Sequence, residues 1–151
     1  KIAFPHLVAC LLDSLKKRVN FLEETFALLK LENITAIHGR AEEFAKNKAY
    51  REQYDLCVSR AVSNLATLSE YCLPYVKVGG NFISYKSGTV QEELQQAEKA
   101  VKILGGKIQD VVYFNLPDSE IQRSLVVIEK MKPTPGRYPR KAGTPLKEPL
   151  S

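Results

Sequence analysis

Four short apolar runs in this sequence end on side chains that can do chemistry. Leu7-Val8-Ala9-Cys10-Leu11-Leu12 ends at Asp13, and Ile34-Thr35-Ala36-Ile37 ends at His38, with Arg40 two residues on. Tyr54-Asp55-Leu56-Cys57-Val58 ends at Ser59 and Arg60, and Asn81-Phe82-Ile83-Ser84-Tyr85 ends at Lys86. A carboxylate that closes a buried strand just before a helix is placed to accept hydrogen bonds from ribose hydroxyls, as in nucleotide-binding α/β folds. Asp13 can equally cap that helix, with Ser14 as the alternative cap, and the segment alone leaves both roles open. His38 has only His6 for company in the sequence. With no His-Cys or His-carboxylate pairing to suggest nucleophilic or metal catalysis, it reads as structural. There is no Gly-x-Ser-x-Gly, no Walker loop and no His-Glu-x-x-His.

The elements that must position these groups follow from periodicity. The continuous run Leu7–Leu12 suits a parallel strand buried on both faces. Leu15, Val19, Leu22, Phe26 and Leu29 then recur on one helical face, with Lys16, Lys17, Arg18, Glu23 and Glu24 opposite. Ile34–Gly39 is a second strand. A short helix follows from Arg40, with Glu42 and Glu43 in its first turn, where acids suit the helix dipole. Tyr54–Arg60 is a third strand. Leu65–Val76 is a helix, with Pro74 in its last turn and Gly79-Gly80 as its stop. Asn81–Lys86 is a fourth strand. Val90–Leu104 is a charged amphipathic helix closed by Gly105-Gly106. Two strands, Ile108–Leu116 and Ser124–Glu129, end the series. Strands alternating with helices imply right-handed crossovers and a parallel sheet. The short link between the last two makes one of them antiparallel to the rest. In such a sheet ligands bind outside the carboxyl ends of the strands, so all four polar ends are expected on one rim.

Residues 1–130 therefore read as one α/β domain and residues 131–151 as a tail. From Lys130 onward lie five of the eight prolines, with Lys130, Lys132, Arg137, Arg140, Lys141 and Lys147 against the single acid Glu148. Proline fixes φ and removes donors, so regular structure is not expected there. The segment is either a disordered solvated tail or an extended arm on a phosphate backbone. Tyr138, between Arg137 and Arg140, favours the arm, since aromatics stack on bases.

Composition bounds the function. Lys and Arg number 22 against 17 Asp and Glu, a net charge of +5, and 44% of the residues are hydrophobic. That excess tolerates a polyanionic partner without requiring one. Three cysteines without paired spacing argue against a disulfide framework or a zinc site and fit a reduced, cytoplasmic compartment. Cys10 and Cys57 lie in apolar runs and read as small buried hydrophobes. No run of ~18 apolar residues is present to span a membrane. A ribose role for Asp13 also calls for a glycine-rich turn ~20 residues earlier. That position falls upstream of Lys1, so the first strand and glycine-rich loop of the domain are expected to be missing from this chain.

Several motifs resemble those of one family. Leu11-Leu12-Asp13-Ser14 with Lys17-Arg18 and Phe21-Leu22 is similar to the bacterial 16S ribosomal RNA guanine-N7 methyltransferases, known as RsmG or glucose-inhibited division protein B. So are Gly39-Arg40-Ala41-Glu42-Glu43, Ser59-Arg60-Ala61, Tyr85-Lys86-Ser87-Gly88 and Leu125-Val126-Val127-Ile128. Tyr138-Pro139-Arg140-Lys141-Ala142-Gly143-Thr144-Pro145 resembles the C-terminus of Gram-positive-type members. The resemblance implies a Rossmann-like class I fold that uses S-adenosylmethionine. It implies Asp13 near the cofactor ribose and Ala41 and Glu42 near the adenine. Arg60 would line the cofactor and RNA side of the pocket, and Arg60 and Lys86 would be the catalytic positions. Arg40, Lys86, Arg137, Arg140 and Lys141 would serve RNA. The implied partner is 16S ribosomal RNA or the small ribosomal subunit, with no metal and no membrane.

The lack of a general base does not oppose this chemistry. Guanine N7 carries a free lone pair and no proton, so attack on a sulfonium methyl demands proximity and in-line geometry. An Arg gripping O6 and N7 together would mask the nucleophile, so a basic rim is better used on O6, phosphate or sugar. Three other readings compete. A nicotinamide-dependent oxidoreductase would use the same ribose carboxylate. A non-catalytic RNA-binding module would need no cofactor, and a small-molecule methyltransferase would not need the basic tail.

Overall fold

The computed structural model describes residues 1–60 and 63–151. The chain divides into two compact units, Lys1–Phe44 and Ala45–Ser151.

In the first unit, β1 (Ala9–Asp13) and β2 (Ile34–His38) pair in parallel, in register from Ala9 opposite Ile34 to Asp13 opposite His38. α1 (Lys16–Leu28) connects them, and α2 (Ala41–Phe44) follows β2. The expected strand is two residues shorter at its start. Leu7 and Val8 lie outside it and are exposed, and β1 is half-buried along its length rather than buried on both faces. One helix on a two-stranded pair does not enclose it. Gly39 is required where it stands, because a Cβ there would overlap the ring of Phe44.

In the second unit, four strands lie in the order β3-β4-β6-β5, where β3 is Tyr54–Ser59, β4 Val76–Ser87, β5 Gly106–Asn115 and β6 Gln122–Lys130. β3 and β4 are parallel, and β6 runs antiparallel to both β4 and β5. The reversed strand of the closing pair is thus β6, as a short link demands. α3 (Leu65–Cys72) is shorter than its apolar pattern implies. Pro74 ends it in a single 3-10 turn, Leu73–Tyr75, since proline lacks the N–H that a longer helix would use. Gly79 and Gly80 are no helix stop. They lie within β4, where the pairing with β3 shifts register between Tyr54 and Leu56. A Cβ on Gly80 would sit 2.5 Å from the Asp55 carbonyl. α4 (Gln91–Ile103) closes at Gly105 with φ +87°, the left-handed cap expected there. Phe82, Val126 and Ile128 of the sheet form the core with Leu65, Leu68, Val101 and Leu104 from α3, α4 and its cap.

The proline-rich segment is neither disordered nor an extended arm; it is packed into the second unit. Met131 and Lys132 donate their N–H groups to the Gly105 carbonyl at 2.8 and 3.0 Å. Arg51 donates to the carbonyls of Thr134 (2.7 Å) and Tyr138 (2.9 Å). Glu52 accepts the Thr134 N–H at 2.7 Å. Tyr138 belongs to the core, and the segment ends in α5 (Thr144–Lys147), whose Pro145 carbonyl accepts the Thr67 hydroxyl at 2.9 Å. The division between residues 130 and 131 therefore does not separate a domain from a free tail.

Candidate functional site

Asp13 closes β1 beside His38, which closes β2. Its Oδ1 accepts the Leu15 N–H at 2.8 Å, and Oδ2 lies 3.3 Å from Nη1 of Arg18. The carboxylate thus holds the turn into α1, and its side chain remains 24% accessible. Each carboxylate oxygen has two lone pairs, so the turn bond and the Arg18 contact leave acceptor capacity on both. The group fits a ribose diol without giving up its structural bond. His38 Nε2 lies 3.1 Å from the Ser14 carbonyl. A carbonyl only accepts, so this nitrogen carries the hydrogen and donates. Beyond His38, Arg40 is exposed, Ala41 half-buried and Glu42 buried in the first turn of α2.

In the second unit, Ser59 at the end of β3 pairs in register with Ser84 of β4, so Arg60 and Lys86 lie toward the same end of that parallel pair. Arg60 is exposed. Ala61 of the Ser59-Arg60-Ala61 motif lies outside the described residues. Lys86 does not face solvent as an RNA contact would. Its side chain is 9% accessible, and Nζ donates to Glu93 Oε1 at 2.6 Å and to the Ser63 carbonyl at 2.8 Å. Burial and two close acceptors turn this charge inward.

Arg140 is likewise not free for phosphate. Its Nε and Nη2 donate to the two carboxylate oxygens of Glu70 at 3.0 and 2.7 Å, and its backbone N–H donates to Oε1 at 2.8 Å. Glu70 is wholly buried. Its hydrogen bonds hold the Arg140 guanidinium above its ordinary pKa despite opposing burial. Tyr138, 7% exposed, has no face to offer a base, though Arg137 stands 5.1 Å above its ring. Arg137 and Lys141 are exposed. Cys10, Cys57 and Cys72 are free thiols. Cys10 and Cys57 are half-buried rather than enclosed. A hydrogen bond with Cys57, and then burial, raise the Cys72 thiol well above its usual pKa, which suits it to packing and not to nucleophilic attack.

Sequence reasoning missed Glu93, Ser63, Glu70, Arg51 and Glu52. Glu93 carries a signal, being an acid in the first turn of a helix that follows a strand with a lysine at its penultimate position. Glu70 carries none, since nothing local marks a buried charge inside an apolar helix pattern.

This architecture is that of the class I S-adenosylmethionine-dependent methyltransferases. NSun6 from Pyrococcus horikoshii with SFG superposes with a TM-score of 0.61 at 14% identity, over 82% of this chain and 41% of that one. TYW2 from M. jannaschii in complex with AdoMet gives 0.58 at 13% identity, over 81% and 57%. The chain belongs to the family described as rRNA small subunit methyltransferase G, which it matches over residues 1–126. Ribosomal RNA small subunit methyltransferase G of Lachnoclostridium phytofermentans is 56% identical over 99% of this chain, and that of Acetivibrio thermocellus 53% over 100%. The chain spans 62% of the length of each of these two relatives.

Proposed function

We propose that the protein carrying this chain transfers a methyl group from S-adenosylmethionine to guanine N7 of 16S ribosomal RNA, in the cytoplasm and on RNA of the small ribosomal subunit. The observation that carries this is identity above half, over 99% of this chain, to relatives named ribosomal RNA small subunit methyltransferase G. Nothing in the fold or in these relatives favours an oxidoreductase or a non-catalytic module.

The cofactor would supply an electrophilic sulfonium methyl. Asp13 would hold its ribose through the acceptor capacity left on its carboxylate, with Ala41 and Glu42 toward the adenine. Arg60, exposed at the carboxyl end of β3, would grip a phosphate or guanine O6 and leave N7 bare. Arg40, Arg137 and Lys141, all exposed, would add attraction to the RNA backbone. No described group has to remove a proton, because N7 has none to lose.

The test uses the full-length protein with labelled S-adenosylmethionine and 16S ribosomal RNA, free and in the small subunit, and mass spectrometry of the digested RNA. N7-methylguanosine is the expected product, and a methyl group on any other atom would overturn the assignment. Asp13→Ala should weaken cofactor binding by about 1–3 kcal/mol, the range for a lost hydrogen bond to a charged group. Unchanged calorimetric affinity in a folded variant would remove Asp13 from the site.

A further inference from the structure

We infer that Lys86 and Glu93 form a clamp that positions Ser63 and Leu65, at the entry to α3, for methyl transfer; this rests on the function proposed above. Glu93 Oε1 accepts two donors, Lys86 Nζ at 2.6 Å and the Leu65 N–H at 2.6 Å. Lys86 Nζ also donates to the Ser63 carbonyl at 2.8 Å. One ion pair thus grips the backbone on both sides of Asn64, drawing on the end of β4 and the first turn of α4. The clamp is more than a helix cap. Asn64 already caps α3, its Oδ1 accepting the Thr67 N–H at 2.8 Å. An ion pair between two further elements, its lysine nearly buried, is not needed to start a helix that has its cap, and burying charge carries a cost.

What the clamp does hold is Ser63 and Leu65, three and five positions after Arg60 in the sequence. That arginine leaves β3 at the carboxyl edge of a parallel pair, where open α/β sheets take ligands. The Ser59–Ser84 pairing fixes the end of β3, and the clamp fixes Ser63 and Leu65. Lys86 is therefore a positioning residue that acts through Ser63 and Leu65, and Glu93 is its equal partner.

The experiment compares Lys86→Met, Glu93→Ala, the double variant and Lys86→Arg in the full-length protein. Methyl transfer to 16S ribosomal RNA is measured at several salt concentrations, with hydrogen exchange read at the Leu65 amide. Each single variant should lower kcat at saturating RNA by roughly 10- to 100-fold, the scale of a small misplacement of a reacting group. The double variant should be no slower than the slower single one, because one unit is broken once. KM for RNA and the salt slope should hardly move, Leu65 exchange should quicken in both single variants, and Lys86→Arg should recover part of the rate. If Lys86→Met instead flattens the salt slope by about one unit while Glu93→Ala is unaffected, Lys86 touches phosphate directly and the clamp is overturned. Faster Leu65 exchange with unchanged turnover also overturns it. Wild-type protein that methylates no ribosomal RNA overturns the functional reading, whereas active wild type with indifferent variants overturns the clamp alone.

Discussion

The two ends of this chain reverse the usual relation between composition and burial. In residues 1–44, Val19 is fully buried, while Ile2, Phe4, Val8, Phe21 and Leu28 are each more than half exposed. In residues 131–151, five prolines and five cations accompany a segment in which Thr134, Tyr138 and Pro145 are buried. The difference lies in partners. The apolar end has one helix on a two-stranded pair, so many of its side chains find nothing to pack against within that unit. The proline-rich end meets Arg51, Glu52 and Glu70, which supply charged hydrogen bonds to backbone groups that its prolines leave without a ladder, and Lys130, which donates to the Thr134 hydroxyl. Directional polar contacts can order a segment that has no secondary structure to offer.

The sharpest way to break this comparison is to cut the strongest anchor. Arg140→Ala leaves the buried Glu70 carboxylate without its counter-charge, and losing one member of a buried pair costs about 3–5 kcal/mol. Urea denaturation should show that loss, and limited proteolysis should open residues 131–151. Weaker RNA binding in a protein of unchanged stability would mean that Arg140 serves the ligand and not the fold.

A second measurement compares the regions directly. Amide exchange in β1 and β2 should proceed through openings cheaper by roughly 2 kcal/mol or more than those of β4 and β6, since few buried apolar contacts and exposed backbone mark low local stability. The Thr134 amide, held by Glu52, should exchange with the slow group despite its neighbouring prolines. Equal protection across both regions would show that solvent exposure in residues 1–44 does not translate into lability.

These contrasts also show what local sequence can carry. The strand ends at Asp13, His38 and Ser59, the place of Lys86 one residue before the end of β4, the α4 stop at Gly105 and the presence of a reversed strand in the closing pair are legible, because period and turn chemistry act over a few residues. The tail is not. Its anchors lie far off in sequence, with Arg51 83 residues from Thr134 and Glu70 70 residues from Arg140. Each pairing is set by tertiary packing that leaves no mark on either neighbourhood. Lys86 shows the same limit at short range. Its place at a strand end is readable, but the direction of its ammonium depends on Glu93, seven residues on and in another element. Pro74 is the opposite case, a local stop signal inside an apolar pattern that runs past it.

The smallest expected effect tests whether distance alone explains any of this. Lys130 and Glu52 approach to 3.1 Å, and so do Lys77 and Asp55. The first ammonium is wholly buried and also donates to the Leu73 carbonyl at 2.6 Å and to Thr134 Oγ1 at 2.8 Å. Burial lowers its pKa even against the pull of Glu52, so the site charges its lysine at a cost and holds it with neutral acceptors as well. The second pair stands in water, with side chains 46% and 90% accessible. High dielectric and the entropy of two free side chains offset most of its attraction. Lys77→Ala should therefore change stability by no more than about 0.5 kcal/mol, the ordinary range for a surface substitution. Lys130→Ala, which strips several buried acceptors of their donor, should cost several times as much in the same urea titration. If the two variants proved equal, burial and the added hydrogen bonds would not be what orders the segment beside Lys130, and the contrast drawn between the two ends of the chain would lose its physical cause.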